Sequence, residues 1–400
     1  MFHHLFKLIW KRKGRNVMLS LEILMAFIIV FAIAAASTRY AQIYRMPIGF
    51  DYTDVWSIKL LPPVDVKSTF TPELYNHFKQ GLEALPEVKK VSFSGSDQFT
   101  LSGMRGNVKL AGGGPNRLTD MVEVNDDFFA VMGMQPTGGR FFDQSDNGAK
   151  VQPVIINRRL ARDLFGTESV VGRDFEAGNI SGNGPVGLKV IGMVDDYRDG
   201  GELAPPSNVM IMRHIPYQTE MSMQNIVIKM APGTPRAFEE KLHKQLQMVR
   251  NDWGYEITPL AALRTSAYAS MMTPLTIISI IAAFLLVMVA VGLFGVLWQN
   301  TTRRIPEIGL RRALGASSGN IYRQIIAEQF LLTTGAVAVA MLLLVQLPIT
   351  GALGDSLNWT VFLSATALSM GVIYLLSLLC SVYPGWRASR LSPTEALHYE

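Results

Sequence analysis

Residues suited to catalysis or metal binding are few in this sequence, and they fall in incomplete motifs. Residues 143–148 (DQSDNG) place oxygen ligands at short spacing, but the later bidentate Glu of a calcium loop is missing. Two adjacent carboxylates, Asp195 and Asp196, follow a predicted strand and are typical of a turn. The pair His3 and His4 has no further ligands nearby in the sequence. We therefore predict no catalytic residue, no metal site and no enzymatic activity in this sequence.

Nucleotide and thiol chemistry are not expected either. The sequence contains no G-x-x-x-x-G-K-[ST] phosphate loop, so we expect no cofactor site and no ATP hydrolysis by this sequence alone. Its one cysteine, Cys380, lies in a long uncharged run, which excludes a disulfide framework. The net charge of +5 requires no nucleic-acid partner, because many of the basic residues flank apolar runs.

The most informative segment is residues 303–316 (RRIPEIGLRRALGA), a basic stretch between two long uncharged runs. Pro306 is favoured in the first turn of a helix, so the preceding helix should end or kink near Ile305 and a new one begin. Glu307 suits the positive end of that short helix, and Arg311 and Arg312 suit its negative end. The sequence thus predicts a short helix along the membrane surface that exposes basic residues.

The sequence also predicts the apolar contacts of this short helix and the residue that ends it. Ile308, Leu310 and Leu314 should supply apolar contacts. Gly315 is suited to end the helix, and Ser317 or Ser318 to cap the next one.

Four uncharged runs are long enough to cross a hydrocarbon core about 30 Å thick. The first could also be a cleaved signal peptide, but it is longer than the apolar part of such peptides, which favours a retained anchor. Its one acid, Glu22, is expected to reach the headgroup region, with a contact between paired subunits as the alternative. Lys and Arg in the short flanks place both termini and residues 303–316 in the cytoplasm, as in a multi-pass protein of the inner or plasma membrane.

The predicted organisation has nine parts. These are a cytoplasmic N-terminus (1–17), a first span (18–38), an extracytoplasmic domain (39–272), a second span (273–298), a cytoplasmic loop (299–327), a third span (328–347), a short outer loop (348–358), a fourth span (359–383) and a cytoplasmic C-terminus (384–400).

The segment between the first two spans has a mixed α and β pattern. Strands are expected near residues 54–61, 88–94, 119–124, 152–156, 188–194 and 225–230, and helices near 71–85, 125–132, 157–165 and 235–251. Thr71, Asn125 and Asn157 are the predicted N-caps. This order indicates two α/β subdomains, one inserted in the other.

Several of these motifs resemble one family, the MacB/FtsX-type (type VII) ABC transporter permeases. EIGLRRALGA at 307–316 is similar to the family segment R-x-x-E-I-G-x-R-R-A-x-G-A after the second span, and residues 383–400 resemble the family's C-terminal tail. Between the first two spans, VNDDFF at 124–129, GRFF at 139–142, LFG at 164–166 and VGR at 171–173 are similar to patterns of the MacB-type periplasmic domain. Pro306 and His398 depart from the family pattern.

The resemblance implies a four-span α-helical membrane domain and a large mixed α+β extracytoplasmic domain, Porter-like with an inserted Sabre-like subdomain. It implies pairing with a second permease chain, identical or different, an extracytoplasmic adaptor, and a separate ATP-binding subunit that binds the ATP. The residues implied to couple to that subunit are Arg303, Arg304, Pro306, Glu307, Ile308, Gly309, Arg311, Arg312, Leu314 and Gly315.

The function implied is that of the permease of an exporter or efflux complex, in which ATP hydrolysis by the partner moves the extracytoplasmic domain. Two alternatives stay open at this point. One is a non-transporting mechanotransmitter, similar to relatives that act on cell-wall hydrolases or release lipoproteins. The other is a membrane-anchored sensor or scaffold without a motor.

Overall fold

The computed structural model describes residues 13–63, 71–100, 103–178, 186–214 and 225–390, apart from the side chains of residues 13–16 and 355. The chain divides into two compact units. The helical unit comprises Met1–Gln42 and Thr273–Glu400, and the α/β unit comprises Ile43–Met272. His3, His4, His398 and the tail after Arg390 lie outside the described residues.

The described helices belong to both units. They are α1 (Lys13–Tyr44), α2 (Pro72–Glu83), α3 (Phe128–Val131), α4 (Arg158–Phe165), α5 (Phe238–Val249), α6 (Leu260–Thr302), α7 (Ile305–Ala313), α8 (Ser318–Leu344), α9 (Gln346–Thr350) and α10 (Trp359–Arg390), with 3-10 turns at Gln144–Asp146 and Gly354–Leu357. Four helical stretches of the described chain (α1, α6, α8 with α9, and α10) are long and apolar enough to cross a membrane. One is N-terminal and three are C-terminal, as predicted.

The core of the helical unit is formed by side chains from all four long helices. Phe27, Leu293, Ala340 and Phe362 are buried there. Thr333 and Ser377 share a buried hydrogen bond of 2.9 Å between α8 and α10, a polar contact typical of helices packed in a membrane. By contrast, many apolar side chains of α6 stay exposed, which suits a helix surrounded by lipid.

The α/β unit is built on one continuous sheet. Its strands are β1 (Val55–Leu61), β2 (Val88–Ser94), β3 (Met104–Leu110), β4 (Arg117–Val124), β5 (Gly138–Gly139), β6 (Gln152–Asn157), β7 (Asp174–Ala177), β8 (Val186–Val194), β9 (Val209–Arg213), β10 (Asn225–Met230) and β11 (Gly254–Pro259). The strand order is β11-β1-β10-β2-β4-β3-β7-β8-β6-β9, and β5 pairs with β8.

Two lobes can be distinguished within this sheet. In the first lobe, β11, β1, β10 and β2 are antiparallel neighbours, and α2 and α5 cover them around a core that includes Ile58, Phe78 and Leu242. In the second lobe, parallel pairing of β4 with β9 closes a ring of six strands, β4-β3-β7-β8-β6-β9. Val108 and Phe175 are in its core.

The second lobe is inserted in the first. Its strands lie between β2 and β10 in the sequence, which agrees with the predicted insertion of one subdomain in another. A single residue pair, Ser94 with Val124, joins β2 to β4 across the two lobes. The six-stranded closure was not predicted, because β3, β7 and β9 were not recognised in the sequence.

Two of the three predicted caps are confirmed. Thr71 Oγ1 accepts a hydrogen bond from Leu74 N at 3.3 Å, and Asn157 Oδ1 accepts one from Leu160 N at 3.0 Å. The prediction for Asn125 was wrong, because α3 begins only at Phe128 and its N-cap residue makes no side-chain cap bond. Asn125 Oδ1 instead accepts hydrogen bonds from strand β2, which lies far away in the sequence.

Candidate functional site

The short helix predicted within residues 303–316 is present as α7. The preceding helix α6 ends at Thr302, and α7 begins at Ile305 with Pro306 in its first turn. Proline has no N–H to donate, and the first turn is the part of a helix where that loss costs nothing. Glu307 lies in the first turn and Arg311 in the last, so both charges oppose the helix dipole.

The other end of α7 is closed by Gly315. Its φ of +95° is unfavourable for residues with a side chain, and it allows two backbone bonds that end the helix. Gly315 N donates to Arg312 O, and Ala316 N donates to Arg311 O, both at 3.0 Å, which is the Schellman pattern. Ser317 then caps α8 by accepting a hydrogen bond from Asn320 N. These sequence predictions are confirmed.

One face of α7 packs inside the helical unit. Ile305, Ile308 and Gly309 are buried. Ile308 contacts a small cluster with Ile321 from α8 and Ala388 from α10. Burying an isoleucine side chain stabilises a fold by about 1.5–3 kcal/mol, so this contact fastens α7 to two long helices.

Polar side chains reinforce the attachment of α7 to α8. Arg304, just before α7, pairs with Glu328 at 2.5 Å, and only a fifth or less of each side chain is exposed. Arg311 donates to Glu307 at 2.5 Å and to Gln324 at 2.9 Å. Gln324 in turn donates to Glu328 at 3.0 Å, which completes a network of five side chains.

A separate bond ties α7 to α10, since Arg312 Nη1 donates to the carbonyl oxygen of Ser389 at 2.7 Å. The basic residues of the segment therefore have different positions. Arg303 is exposed, as predicted, whereas Arg304 and Arg312 are half-buried and engaged in contacts within the chain. The expectation that the helix presents its basic residues outward was wrong for these two arginines.

The opposite face of α7 is exposed and partly apolar. Leu310 is 57% exposed and Leu314 is 81% exposed, on a helix whose other face is buried. Pro306 and Glu307, four and three residues before Leu310, share this side by helical spacing and are exposed, and Arg303 just before α7 is exposed as well. Leu310 and Leu314 were expected to supply apolar contacts, but they bury little surface within the described chain. We call these five residues the outer face of α7. An apolar centre with a charged rim is the composition of a protein-binding surface.

A second unusual site, which sequence analysis missed, surrounds Arg198 in the α/β unit. Arg198 is 2% exposed, and its guanidinium donates to backbone carbonyl groups of two separate chain segments. The acceptors in the first segment are Ile43 at 3.1 Å, Met46 at 3.0 Å and Pro47 at 3.4 Å. In the second they are Glu202 and Ala204.

This arrangement holds the end of α1. Ile43 is in the last turn of α1, where carbonyl groups lack α-helical partners, and its carbonyl oxygen accepts from both Met46 N and Arg198, each at 3.1 Å. No sequence signal identifies this role, because residues 195–200 (DDYRDG) have the composition of an ordinary polar turn.

The remaining candidates from the sequence have structural partners. In the turn at 143–148, Arg140 donates to both oxygens of Asp146, at 2.7 and 2.6 Å. This pairing holds the pKa of Asp146 below its usual range. Asp195 lies 3.8 Å from Arg158 in an ion pair. Within the described part of the chain, no group of three or more His, Cys, Asp or Glu side chains is arranged to hold a metal ion.

The chain matches two protein families. The MacB-like periplasmic core domain matches residues 19–245, and the FtsX-like permease C-terminal domain matches residues 279–393. The first match alone extends over more than half of the chain.

Individual curated proteins are also similar to this chain. The macrolide export ATP-binding/permease protein MacB of Bdellovibrio bacteriovorus is 25% identical over 279 residues, which is 66% of this chain and 41% of that protein. The protein MacB 1/2 of Paracoccus denitrificans is 27% identical over 68% of this chain and 41% of its own length. The chain thus spans less than half the length of these curated relatives, and the similarity lies in their permease part.

Among solved structures, the periplasmic region of MacB from Actinobacillus actinomycetemcomitans is similar with a TM-score of 0.39 and 14% identity. That similarity covers 56% of this chain and 97% of the other.

Proposed function

Because this chain belongs to the MacB/FtsX-like ABC permeases with a MacB-like periplasmic core domain, we propose that it is the permease subunit of an ABC-type exporter or efflux complex. It is a multi-pass membrane protein with a periplasmic domain. In the proposal, a separate ATP-binding subunit hydrolyses ATP and moves this domain. Two permease chains, identical or different, pair in the complex, and an extracytoplasmic adaptor extends it.

The observation that carries the proposal is the outer face of α7. It exposes two leucines beside a Glu and an Arg, at the position where a soluble motor would have to bind the membrane subunit. The other face of α7 is packed against α8 and α10, so these two leucines stay exposed in the chain. Such exposed apolar side chains indicate a surface that a partner protein buries.

Force transmission needs a helix that does not rotate independently. The attachment of α7 by Ile308, Arg304 and Arg312 to α8 and α10 supports this requirement. A partner that pushes on the outer face of α7 would move those long helices with it. The helices α1 and α6 contain residues of both compact units, and we propose that they carry the motion to the periplasmic domain.

A photocrosslinking experiment tests the docking surface. A photoreactive residue at Leu314 should crosslink to a protein that contains a nucleotide-binding phosphate loop, and the double variant Leu310→Ser/Leu314→Ser should lose this partner. Each leucine contributes about 1.5–3 kcal/mol when buried, so affinity should fall at least 100-fold. Leu118→Ser is the matched control, because Leu118 in the α/β unit is 59% exposed. Unchanged binding by the double variant would refute docking at this face.

We also propose that both termini and α7 are cytoplasmic. Single cysteines at Ala149 and Asn320, both exposed, test this in a Cys380→Ser background. An impermeant maleimide should label them from opposite sides of the membrane. Labelling from the same side would contradict the orientation.

A further inference from the structure

A group of aromatic side chains lies near the C-terminal ends of α6 and α10. The Trp298 and Tyr383 rings are stacked with centroids 5.7 Å apart. Phe294 stacks on Trp298 at 6.2 Å, and Trp386 stacks on Tyr383 at 6.3 Å. The rings therefore form one aromatic surface across two helices. Tyr383 is 48% and Trp386 46% exposed, so much of this surface is uncovered in the chain.

Two arginines lie over these rings. The Arg387 guanidinium is 4.6 Å from the centroid of Trp298, and that of Arg390 is 4.6 Å from the centroid of Trp386. Cation–π contact fixes the position of each guanidinium but does not neutralise its charge. Among the described residues, neither arginine forms an ion pair with a carboxylate. We call these two arginines and four aromatic residues the arginine–aromatic cluster. It presents positive charge at a fixed place, and no carboxylate of residues 225–390 or of the other described ranges pairs with it.

The surface next to the cluster is apolar. Leu379 and Val382 precede Tyr383 and Trp386 by one helical turn on α10, and they are 63% and 40% exposed. Val291 stands three residues before Phe294 on α6 and is 63% exposed. Residues at spacings of three and four share a helix face, so exposed aliphatic surface leads up to the rings. Tryptophan and tyrosine at such a boundary are typical of the membrane–water interface.

A small cavity adjoins Arg387. It has a volume of about 50 Å³ and is lined by Trp298, Thr301, Thr302, Pro384 and Arg387, among others. This is more than the roughly 10–15 Å³ that one water molecule requires. The guanidinium is suited to phosphate oxygens, and Thr301 adds a hydroxyl to the lining, whereas the hydroxyl of Thr302 donates to the carbonyl oxygen of Trp298 at 2.9 Å.

We infer that the arginine–aromatic cluster binds the headgroup phosphate of an anionic phospholipid, whose acyl chains lie along the exposed aliphatic side chains of α6 and α10. Charge and apolar surface together favour a lipid over a soluble anion, because a free phosphate would use only the arginines. Basic sites between membrane helices bind anionic headgroups by this combination. The bound lipid would stabilise the ends of α6 and α10 beside the turn that leads into α7.

Lipid retention by the purified full-length chain tests the inference. The protein is incubated with mixed micelles of phosphatidylglycerol and phosphatidylethanolamine, and bound lipid is counted by native mass spectrometry, without nucleotide or ATP-binding partner. In the double variant Arg387→Gln/Arg390→Gln, affinity for phosphatidylglycerol should fall about 25-fold, since each arginine near an anionic headgroup contributes roughly a factor of five. Phosphatidylethanolamine binding should not change.

The matched control is Arg303→Gln/Arg323→Gln, which removes two exposed arginines outside the cluster. This control should keep phosphatidylglycerol, and Arg387→Lys/Arg390→Lys should keep more of it than the glutamine variant. Equal loss in the control, or loss of both lipids alike, would show only general surface binding and overturn the inference. A disulfide between two chains through Trp386→Cys in a Cys380→Ser background would also overturn it, because a second copy would then cover the cluster.

Discussion

Glu202 forms an ion pair with Arg264 of α6. Arg198, four residues earlier in the chain, donates a hydrogen bond to the carbonyl oxygen of Ile43 at the end of α1. The segment of residues 198–204 thus contacts both helices that enter the α/β unit. All of these contacts lie within that unit. The segment also follows closely after β8 of the second lobe, which ends at Val194.

We predict that Glu202 and Arg264 are energetically coupled. Less than a third of each side chain is exposed, so solvent screens their attraction only in part. A double-mutant cycle with Glu202→Gln and Arg264→Gln should give a coupling of about 1 kcal/mol, read from hydrogen-exchange protection of the first turns of α6. The pair Glu240 and Lys244, which is highly exposed, serves as control and should show no measurable coupling. Additive single variants would contradict the prediction.

Replacing Arg198 by lysine should destabilise the α/β unit, although lysine keeps the positive charge. A lysine ammonium cannot reach carbonyls on two segments at once, as the planar guanidinium does. Each lost hydrogen bond from a charged group costs about 1.5–3 kcal/mol, so we expect a loss of about 3 kcal/mol in the free energy of unfolding. Denaturant titration of the full chain, followed by tryptophan fluorescence, measures it.

The control for this variant is Arg105→Lys. Arg105 is 60% exposed and pairs with a single carboxylate, Asp120, at 2.6 Å, so lysine can replace it with little change in stability. Hydrogen exchange should become faster near Met46 and Ala204 in Arg198→Lys alone. If both variants had the same stability, the carbonyl contacts of Arg198 would not be important.

Gly49 should tolerate alanine far less well than Gly172. Both glycines have a φ of +88°, so alanine meets the same backbone strain, about 1–2 kcal/mol, at either position. A Cβ on Gly49 would overlap the carbonyl of Asp196, whereas nothing lies within 4 Å of a Cβ on Gly172. The melting temperature of Gly49→Ala should therefore be clearly lower than that of Gly172→Ala. Equal melting temperatures would show that residues 47–50 do not pack against residues 196–198.

The parts of the site that follow local rules could be predicted from the sequence. Pro306 at the start of α7, Gly315 at its end and Ser317 as the next cap each depend on backbone geometry within a few residues. The lobes of the α/β unit were also predicted in outline, since strands such as β2 and β10 have a clear pattern of apolar residues.

Contacts between distant residues could not be predicted in this way. Arg198 and Ile43 are 155 residues apart, and no pattern in either segment indicates the other. Asn125 fits the rule for a helix cap, but strand β2 provides it with better hydrogen-bond partners. Arg304 and Arg312 look like surface charges until Glu328 and the carbonyl of Ser389 are brought next to them by folding.

The stability of the α/β unit should depend on the ionisation of Asp199, which follows Arg198 directly. Burial, with a smaller contribution from the nearby charge of Asp120, raises the pKa of this carboxyl group to about 6. Between about pH 4 and pH 6 the folded state then holds a proton that the unfolded state has already lost. The free energy of unfolding therefore falls by up to about 3 kcal/mol as the pH rises through that range, because Asp199 must stay protonated or lose its charge's hydration in the folded state.

Asp199→Asn removes this dependence. Asparagine keeps the oxygen that accepts a hydrogen bond from Gly200 N at 2.9 Å, so the fold should be preserved. The variant should be more stable than the wild type at pH 7 and about equal to it near pH 4. Denaturant titrations of both proteins at intervals from pH 4 to pH 7 give the difference in unfolding free energy. A difference that does not change with pH would mean that Asp199 ionises with an ordinary pKa in the folded protein.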